Sequence, residues 1–405
     1  MSLRLNDTLS GRPKSVRAAP GRPVALYVCG PTVYAAAHVG HARTYLEFDL
    51  VRRTLEAEGR RVRHVMNITD IEDKLELRAR DLGVTWRALA RSEERAFVRD
   101  MDALGILRPH FQPRASDFVP EILRVARRLE RTGRVYRQGD DWMYRPPNRP
   151  PGRNFPTGAS LAAHAVLEPD HPLPVVAGDR GEFMIWRRQE APHPSWPSRW
   201  GRGGPGWHLE CYAMAQKYLG IPVDVHGGGR DLIFPHHYAE NEIALALDRR
   251  PFSHLFVHLQ FVLQNGRKMA KSTGNLVSIE QAIRDGSARG LRWYLLGRPY
   301  TEPVDWSEAD YRRAVNEFES LRGTLRGWLS AGGGGRLGSR PVRALVEGVG
   351  RDLLANLRTD RAVARLRDFA HRLGRDPSGR VARGERGAAR AAVADLERRT
   401  GLSLL

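Results

Sequence analysis

Cys29 and Cys211 are the only two thiols in this 405-residue chain. His236 and Glu240 are four residues apart, so on a helix both project from one face. Two sulfurs, an imidazole and a carboxylate make a tetrahedral donor set of the kind that holds zinc. The spacing is not that of a zinc finger, and two buried structural thiols would account for the same cysteines. His237 rivals His236, but it stands only three residues from Glu240, so His236 is preferred. A second group, His38-Val39-Gly40-His41, follows an apolar run and opens a helical one. Ring nitrogens at a helix N-terminus suit phosphate anions, and Gly40 permits close approach to the backbone. A third group is Lys268-Met269-Ala270-Lys271-Ser272, followed by Thr273 and Gly274. Only five of the 65 basic residues are lysine, and two of the five stand here. Drift toward arginine explains the ratio, which makes a lysine informative wherever charge alone would be served by arginine. Two lysines with hydroxyls and a glycine on a loop suit a polyphosphate tail. A fourth group is Gly227-Gly228-Gly229-Arg230-Asp231, where glycines after a strand would let a nucleotide close and Asp231 could accept from ribose hydroxyls, although by itself the run is better read as a glycine-rich turn with no ligand.

The elements that must position these groups follow from periodicity. Val24, Leu26 and Val28 alternate as a short buried strand that ends at Cys29-Gly30-Pro31. A helix is expected over 40–58, with Tyr45, Phe48, Val51 and Leu55 on one face and Gly59 as its stop. Residues 62–68 form a second strand, so strand, helix and strand make a βαβ unit and a parallel sheet. Residues 85–133 are helical, with Thr85 and Ser116 as caps. From 134 to 206 prolines (Pro146, Pro147, Pro150, Pro151, Pro156) and tryptophans (Trp186, Trp196, Trp200) mark an irregular insertion with short strands. The α/β pattern then resumes: helix 207–219, strand 223–226, helix 236–248, strand 254–262. One sheet split by an insertion accounts for both halves. Beyond about residue 307 the chain is helical and arginine-rich, with a flexible Gly332–Gly335 linker.

Composition bounds the class. Hydrophobic residues make up 41% and charged residues 27%, enough for a sizeable core and against wholesale disorder. No run of about 18 apolar residues marks a membrane span. The N-terminus lacks a secretory h-region, and two cysteines make no disulfide framework, so a reduced, cytoplasmic protein is expected. The formal charge of +19 suits a polyanionic partner such as nucleic acid. The segment 341–405 carries 14 Arg against 8 acidic residues, which serves either an RNA-binding face or ordinary solvated surface.

Taken in order, the motifs resemble those of cysteinyl-tRNA synthetases. They are Tyr27-Val28-Cys29-Gly30-Pro31-Thr32-Val33-Tyr34, His38 to Tyr45, Asn67-Ile68-Thr69-Asp70, Pro194-Ser195-Trp196, Gly206 to Cys211, His226 to Gly229, Phe234 to His237, and Lys268 to Ser272. The resemblance covers about residues 24–310. The resemblance implies a class I synthetase fold: an α/β, Rossmann-like, doubly wound parallel sheet with a connective insertion and a C-terminal α-helical bundle. The expected division is 1–115 and 207–280 for the two halves of the catalytic domain, 116–206 for the insertion, 281–306 for a stem-contact linker and 307–405 for the helical domain. It implies ATP-dependent activation of L-cysteine to cysteinyl-adenylate and transfer to the 3′ end of tRNA(Cys). It places one Zn²⁺ at Cys29, Cys211, His236 and Glu240, and Mg²⁺ with the ATP. By the same resemblance His38, Gly40, His41, Gly228, Gly229, Asp231, Lys268 and Lys271 bind ATP, with His38, His41, Lys268 and Lys271 catalytic, and Thr69 and Trp207 line the substrate pocket. A monomer is favoured, with no membrane partner.

Three departures stand out. Tyr238-Ala239-Glu240 follows the histidine pair where the family usually has glutamate directly after it. Ala270 replaces the serine of the family's lysine loop. The chain also stops before typical bacterial members do, short of the small domain that grips the anticodon. Two other functions compete. A related ligase of mycothiol synthesis joins cysteine to glucosaminyl-inositol, but Pro31 to Tyr34 and Ala42 to Thr44 resemble the tRNA enzyme, and the basic charge favours RNA. A non-catalytic RNA-binding paralogue would have no need of the lysine loop or the donor set.

Overall fold

The computed structural model describes residues 2–147, 181–190, 193–269, 274–330, 339–375 and 381–405. The chain opens with an antiparallel hairpin, β1 (Arg4–Asp7) and β2 (Arg12–Ser15). This segment reads as a polar lead-in, yet Leu3 and Leu5 are buried in the main core. In β3 (Val24–Val28) every residue is buried. Val24, Leu26 and Val28 enter one apolar cluster, while Ala25, Tyr27 and the adjoining Cys29 enter another. A strand covered on both faces is what a parallel α/β sheet requires. α1 (Val39–Ala57) and β4 (Val62–Met66) complete the βαβ unit, and Tyr45, Phe48, Val51 and Leu55 are all buried. Gly59 ends the helix region at φ +74°.

α2 (Asp73–Asp81) and α3 (Trp86–Ala103) follow, and Thr85 caps α3 by accepting from the Ala88 N–H at 3.2 Å. Ser116 does not cap a helix. Its N–H and hydroxyl both donate to Asp70, at 2.8 and 2.6 Å, and α4 (Val119–Glu130) starts three residues later. The insertion then builds an antiparallel sheet from β5 (Val135–Gln138), β6 (Asp141–Tyr144), β7 (Phe183–Arg188) and β8 (Gly203–Pro205), in that order. Trp186 and Trp200 are buried in it, and Trp200 Nε1 donates to Glu130 of α4 at 3.0 Å. Pro150, Pro151 and Pro156 lie outside the described residues.

α5 (Trp207–Tyr218), β9 (Val225–Gly229), α6 (Tyr238–Leu247) and β10 (Phe256–Leu259) resume the pattern. The central sheet has the order β10-β9-β3-β4, all parallel, so the segments before and after the insertion form one sheet. Two expectations need correcting. The glycine triplet does not follow a strand; it is the end of β9, with Gly227 paired to Val28 and Val257. A Cβ on Gly227 would meet the Phe48 ring at 1.9 Å, so β9 lies against α1 only without a side chain there. The expected strand 254–262 is also two strands. β10 joins the parallel sheet, while β11 (Val262–Gln264) pairs with β12 (Arg267–Lys268) and β13 (Val304–Trp306) in a second sheet. Asn265 and Gly266, at φ 53° and 72°, make the tight β11–β12 turn.

α7 (Ile279–Asp285) and α8 (Ala288–Leu296) lead to four further helices: α9 (Glu308–Ser330), α10 (Arg340–Leu354), α11 (Thr359–Arg375) and α12 (Arg386–Thr400). Gly332–Gly335 lie outside the described residues. These helices share one apolar cluster with α1 and α8, running from Leu3 to Leu404. A buried ion pair crosses it: Arg292 of α8 binds Asp49 of α1, and Arg292 Nε donates to the Thr400 carbonyl at 3.0 Å. Asp49 also accepts from the Leu107 N–H at 3.0 Å and from Arg53 at 2.8 Å. Burial alone would raise the Asp49 pKa, but Arg292, Arg53 and Leu107 together hold it below the ordinary carboxylate value. Burial lowers Arg292 as well, yet a guanidinium stays charged at physiological pH, so the pair persists. Among the described residues no helix is long and apolar enough to cross a membrane.

Asp49→Ala would leave the Arg292 charge buried and unpaired, at a cost of about 3–5 kcal/mol. Urea denaturation at pH 7 should show that loss. In the wild type the Asp49 contribution is present above the unfolded carboxylate pKa and fades as pH falls through the lower folded value, so the variant and wild type should converge in strong acid. A loss under about 1 kcal/mol at pH 7 would mean that Arg292 reaches water.

Candidate active site

The connections from β3 and β9 run in opposite directions across the sheet, β3 to β4 on one side and β9 to β10 on the other. Ligands of open α/β sheets bind in the crevice beyond the carboxyl ends of the strands at such a switch point. Cys29 and Gly30 lie at that end of β3, and Gly229 and Arg230 at that end of β9. The Cys29 N–H donates to the Gly227 carbonyl at 2.9 Å, which fixes the thiol at the junction.

Cys211 comes from the interior of α5, His236 from the irregular turn Ile233–His237, and Glu240 from the first turn of α6. One ligand atom from each of Cys29, Cys211, His236 and Glu240 falls within 4.8 Å of the others, and all four residues are buried. Glu240 Oε1 has no hydrogen-bond partner among the described residues and stands 3.6 Å from His236 Nε2, too far for a hydrogen bond. Burial chiefly, with Cys211 beside it, pushes the Cys29 thiol up, and burial raises Glu240 against the opposing pull of His226. Burial thus disfavours the charged forms of Cys29 and Glu240, and a bound metal ion would act the other way. This buried Cys/His/Glu cluster is able to hold a metal ion.

The sequence missed most of the surrounding histidines. Cys29, His226, His237 and Glu240 satisfy the same distance limit as an overlapping set. His226 Nε2 lies 2.8 Å from Glu240 Oε2, and its Nδ1 lies 3.2 Å from the Tyr27 carbonyl. His237 Nε2 reaches Cys29 Sγ at 3.3 Å, His258 Nε2 reaches His237 Nδ1 at 2.8 Å, and Thr8 Oγ1 reaches His258 Nδ1 at 2.7 Å. Burial first lowers His237 and His258 well below the ordinary histidine value, with neighbouring imidazoles adding at both and Arg230 at His258. His226 and His258 sit on β9 and β10, where strand periodicity marks them only as buried positions. His236 falls in the set that contains both cysteines, and His237 in the set with Cys29, His226 and Glu240.

The second group forms a helix start. His38 is the N-cap of α1; its Nδ1 accepts from the Gly40 N–H at 3.1 Å, and its own N–H donates to His41 Nδ1 at 3.3 Å. A Cβ on Gly40 would lie 2.7 Å from the His38 ring, so that glycine makes room for the histidine itself. The His41 ring stacks toward Tyr45 at 6.4 Å, and the Tyr45 hydroxyl donates to the Cys29 carbonyl at 3.4 Å. That chain of contacts ties the helix start to the donor cluster. Two residues farther on, Arg43 is 1% exposed and donates to the carbonyls of Gln260, Phe261, Pro299 and Glu302. The arginine of this motif is thus a strut between α1 and the two loops that lead into β11 and β13.

Lys268 lies at the end of β12, with its ammonium 3.1 Å from Asp231 and 4.4 Å from the Phe261 ring centre. Lys271, Ser272 and Thr273 fall outside the described residues. A Cβ on Gly228 would meet Leu232 at 2.6 Å, and one on Gly229 would meet Asp231 at 2.4 Å. Thr69 is buried; its Oγ1 accepts from Asn67 Nδ2 at 3.0 Å, while Asn67 Oδ1 accepts from the Gly30 N–H at 2.9 Å. Trp207, at the start of α5, stacks on the His236 ring with centres 4.1 Å apart. Trp207 therefore adjoins the donor cluster through His236, and the α1 start adjoins it through Tyr45.

Comparison with known proteins agrees with this geometry. The family of class I (C) tRNA synthetase catalytic domains matches residues 16–316. The cysteine–tRNA ligase of Geobacter metallireducens is 40% identical over 336 residues, covering 81% of this chain and 67% of that one. That of Thermococcus onnurineus is 38% identical over 331 residues, covering 80% and 68%. Among solved structures, Mycobacterium tuberculosis methionyl-tRNA synthetase in complex with methionyl-adenylate superposes with a TM-score of 0.61 at 17% identity, covering 95% of this chain and 88% of that one. The LeuRS of Agrobacterium radiobacter K84, in its ternary complex with tRNA and LeuAMS, gives 0.66 at 12%, covering 95% and 84%. With a parallel sheet split by an insertion, a helical C-terminal part and these matches, the chain is a class I aminoacyl-tRNA synthetase of the cysteine–tRNA ligase family.

Proposed function

We propose that the protein activates L-cysteine with ATP to cysteinyl-adenylate and transfers the cysteinyl group to the 3′ end of tRNA(Cys), with zinc recognising the substrate thiol. One observation carries the proposal: both thiols of the chain converge with His236 and Glu240 at the switch point, beside the His38–His41 helix start. Cys29, Cys211, His236 and Glu240 would hold the ion, which supplies a soft Lewis site that prefers a thiolate to a hydroxyl and so separates cysteine from serine. Discrimination at that step removes the need for a separate editing site.

The chain's own groups do the rest by position and charge. The substrate carboxylate is already ionised, so no general base is required. It attacks the α-phosphorus, a carboxylate–phosphorus bond forms, and the bond to the departing pyrophosphate breaks. His38 and His41 would hold the phosphates at the α1 N-terminus, and Lys268 and Lys271 the pyrophosphate, with Mg²⁺ accompanying the ATP. Gly40, Gly228 and Gly229 would border the nucleotide, Asp231 would take the ribose hydroxyls, and Thr69 and Trp207 would line the cysteine pocket. A terminal hydroxyl of the tRNA then attacks the activated carbonyl, and AMP leaves. In this scheme residues 1–115 and 207–280 form the catalytic body, 116–206 the connective insertion, 281–306 the stem contact and 307–405 the helical domain, in a cytoplasmic monomer.

Three measurements test this. Metal analysis of the purified chain should find about one zinc, and Cys211→Ala should lose most of it, since a thiolate ligand is removed; fully active metal-free wild type would refute the site. Cysteine should drive ATP–pyrophosphate exchange, and Lys268→Ala or Lys271→Ala should slow it about 10²-fold, the usual loss when one charge-stabilising donor goes. With labelled cysteine, label should appear in acid-precipitable RNA when total tRNA is offered. Label only on glucosaminyl-inositol would move the assignment to the amino-sugar ligase.

A further inference from the structure

Beside the donor cluster, a cavity of about 210 Å³ lies between the first turn of α5, the residues leading into α2 and the insertion strands β6 and β7. Glu210 borders it. That residue is 1% exposed, and neither carboxyl oxygen has a hydrogen-bond partner among the described residues. Glu72, Asp73 and Asp141 line the same cavity, and the only arginine or lysine among its described lining residues, Arg187, is already paired with Asp73 at 2.5 Å. Met143, Met184 and Pro205 supply apolar wall. A buried carboxyl with no partner is costly, and a nearby excess of acid selects against any anion. Apolar sides with carboxyls at one end match an alkyl chain that ends in a cationic donor.

We propose that this cavity binds a primary ammonium group, held by Glu210 at its buried end. An ammonium has three donors and can satisfy Glu210 while facing Glu72. Two sources share that chemistry: a separate aliphatic amine, and the α-ammonium of the amino acid itself, since Trp207 and His208 belong both to this cavity and to the surroundings of His236. Only the second source rests on the function proposed above.

Calorimetric titration of the full, metal-loaded chain without ATP distinguishes them. The probes are putrescine, which has ammonium groups and no thiol; L-cysteine; and 3-mercaptopropionate, which has the thiol and carboxylate but no ammonium. If a separate amine is the ligand, putrescine binds, and Glu210→Gln weakens it about 10- to 100-fold, the loss expected for one charge-assisted hydrogen bond. If the substrate is the source, L-cysteine binds more tightly than 3-mercaptopropionate by a similar factor, and Glu210→Gln abolishes the difference with zinc content and 3-mercaptopropionate affinity unchanged. Either result supports the assignment. Equal affinity of wild type and Glu210→Gln for both ammonium ligands, or no binding of either to the wild type, overturns it. Should Glu210→Gln fail to fold, Glu72→Gln on a separate segment takes its place, with a smaller loss expected. Zinc content and 3-mercaptopropionate binding report on the metal site independently, so a failure there is not mistaken for a failure here.

Discussion

Two thiols, a carboxyl and an imidazole, buried with ligand atoms inside 4.8 Å of one another, set the terms for everything around them. In a medium of low dielectric they cannot all carry charge without a cation, and as neutral groups they leave polar atoms unmet. The protein brings them together from three separate parts of the chain: Cys29, Cys211 and the stretch from His236 to Glu240. The cost of holding them is met by the rest of the fold, with an apolar cluster on either side of the sheet. The histidines around the cluster extend the same logic. His226 against Glu240, and His237 between Cys29 and His258, restrict where the donors point.

The scaffold achieves this with buried arginines as well as with packing. Arg43 ties α1 to four carbonyls, two in the link between β10 and β11 and two in the loop that follows α8, and Arg292 ties α1 to the last turn of α12. Both guanidiniums act on the helix whose first turn presents His38 and His41. The position of that first turn therefore depends on contacts made by residues more than two hundred places later in the chain. The C-terminal helices are part of the same core as the site, as the shared cluster from Leu3 to Leu404 makes plain.

Much of this was legible beforehand, for identifiable reasons. Strand and helix periods located β3, α1 and α5 to within a residue or two, because each has one unambiguous buried pattern. Order along the chain carried the family, since eight short motifs in sequence are far more specific than any one. Other features were illegible because their causes are tertiary. A Cβ on Gly227 would meet Phe48 and one on Gly40 would meet the His38 ring, packing demands that the sequence alone does not display. Ser116 looked like a cap but serves Asp70, forty-six residues away. The two strands within 254–262 are separated by two residues that carry no turn signal of their own. The partnerless carboxyl of Glu210 could not be seen at all, because burial without a partner is a property of three dimensions.

The Lys268 side chain shows how charge is balanced near the end of β9 in a highly basic protein. Lys268 is paired with Asp231 and rests on Phe261, so the lysine expected at the phosphates and the carboxylate expected at the ribose neutralise each other. On the proposed function, a nucleotide would separate the pair and give each side chain a new partner. The loss of one ion pair is offset by two new interactions, so the net gain is smaller than either contact alone suggests. Such an exchange favours a ligand that supplies both a polyphosphate and a ribose; pyrophosphate alone would leave Asp231 unpaired. A lysine suits the exchange better than an arginine, because its point charge on a flexible stem can change partners without rebuilding a bidentate geometry. That gives a physical reason for one of the few lysines in an arginine-rich chain to stand where the nucleotide is expected.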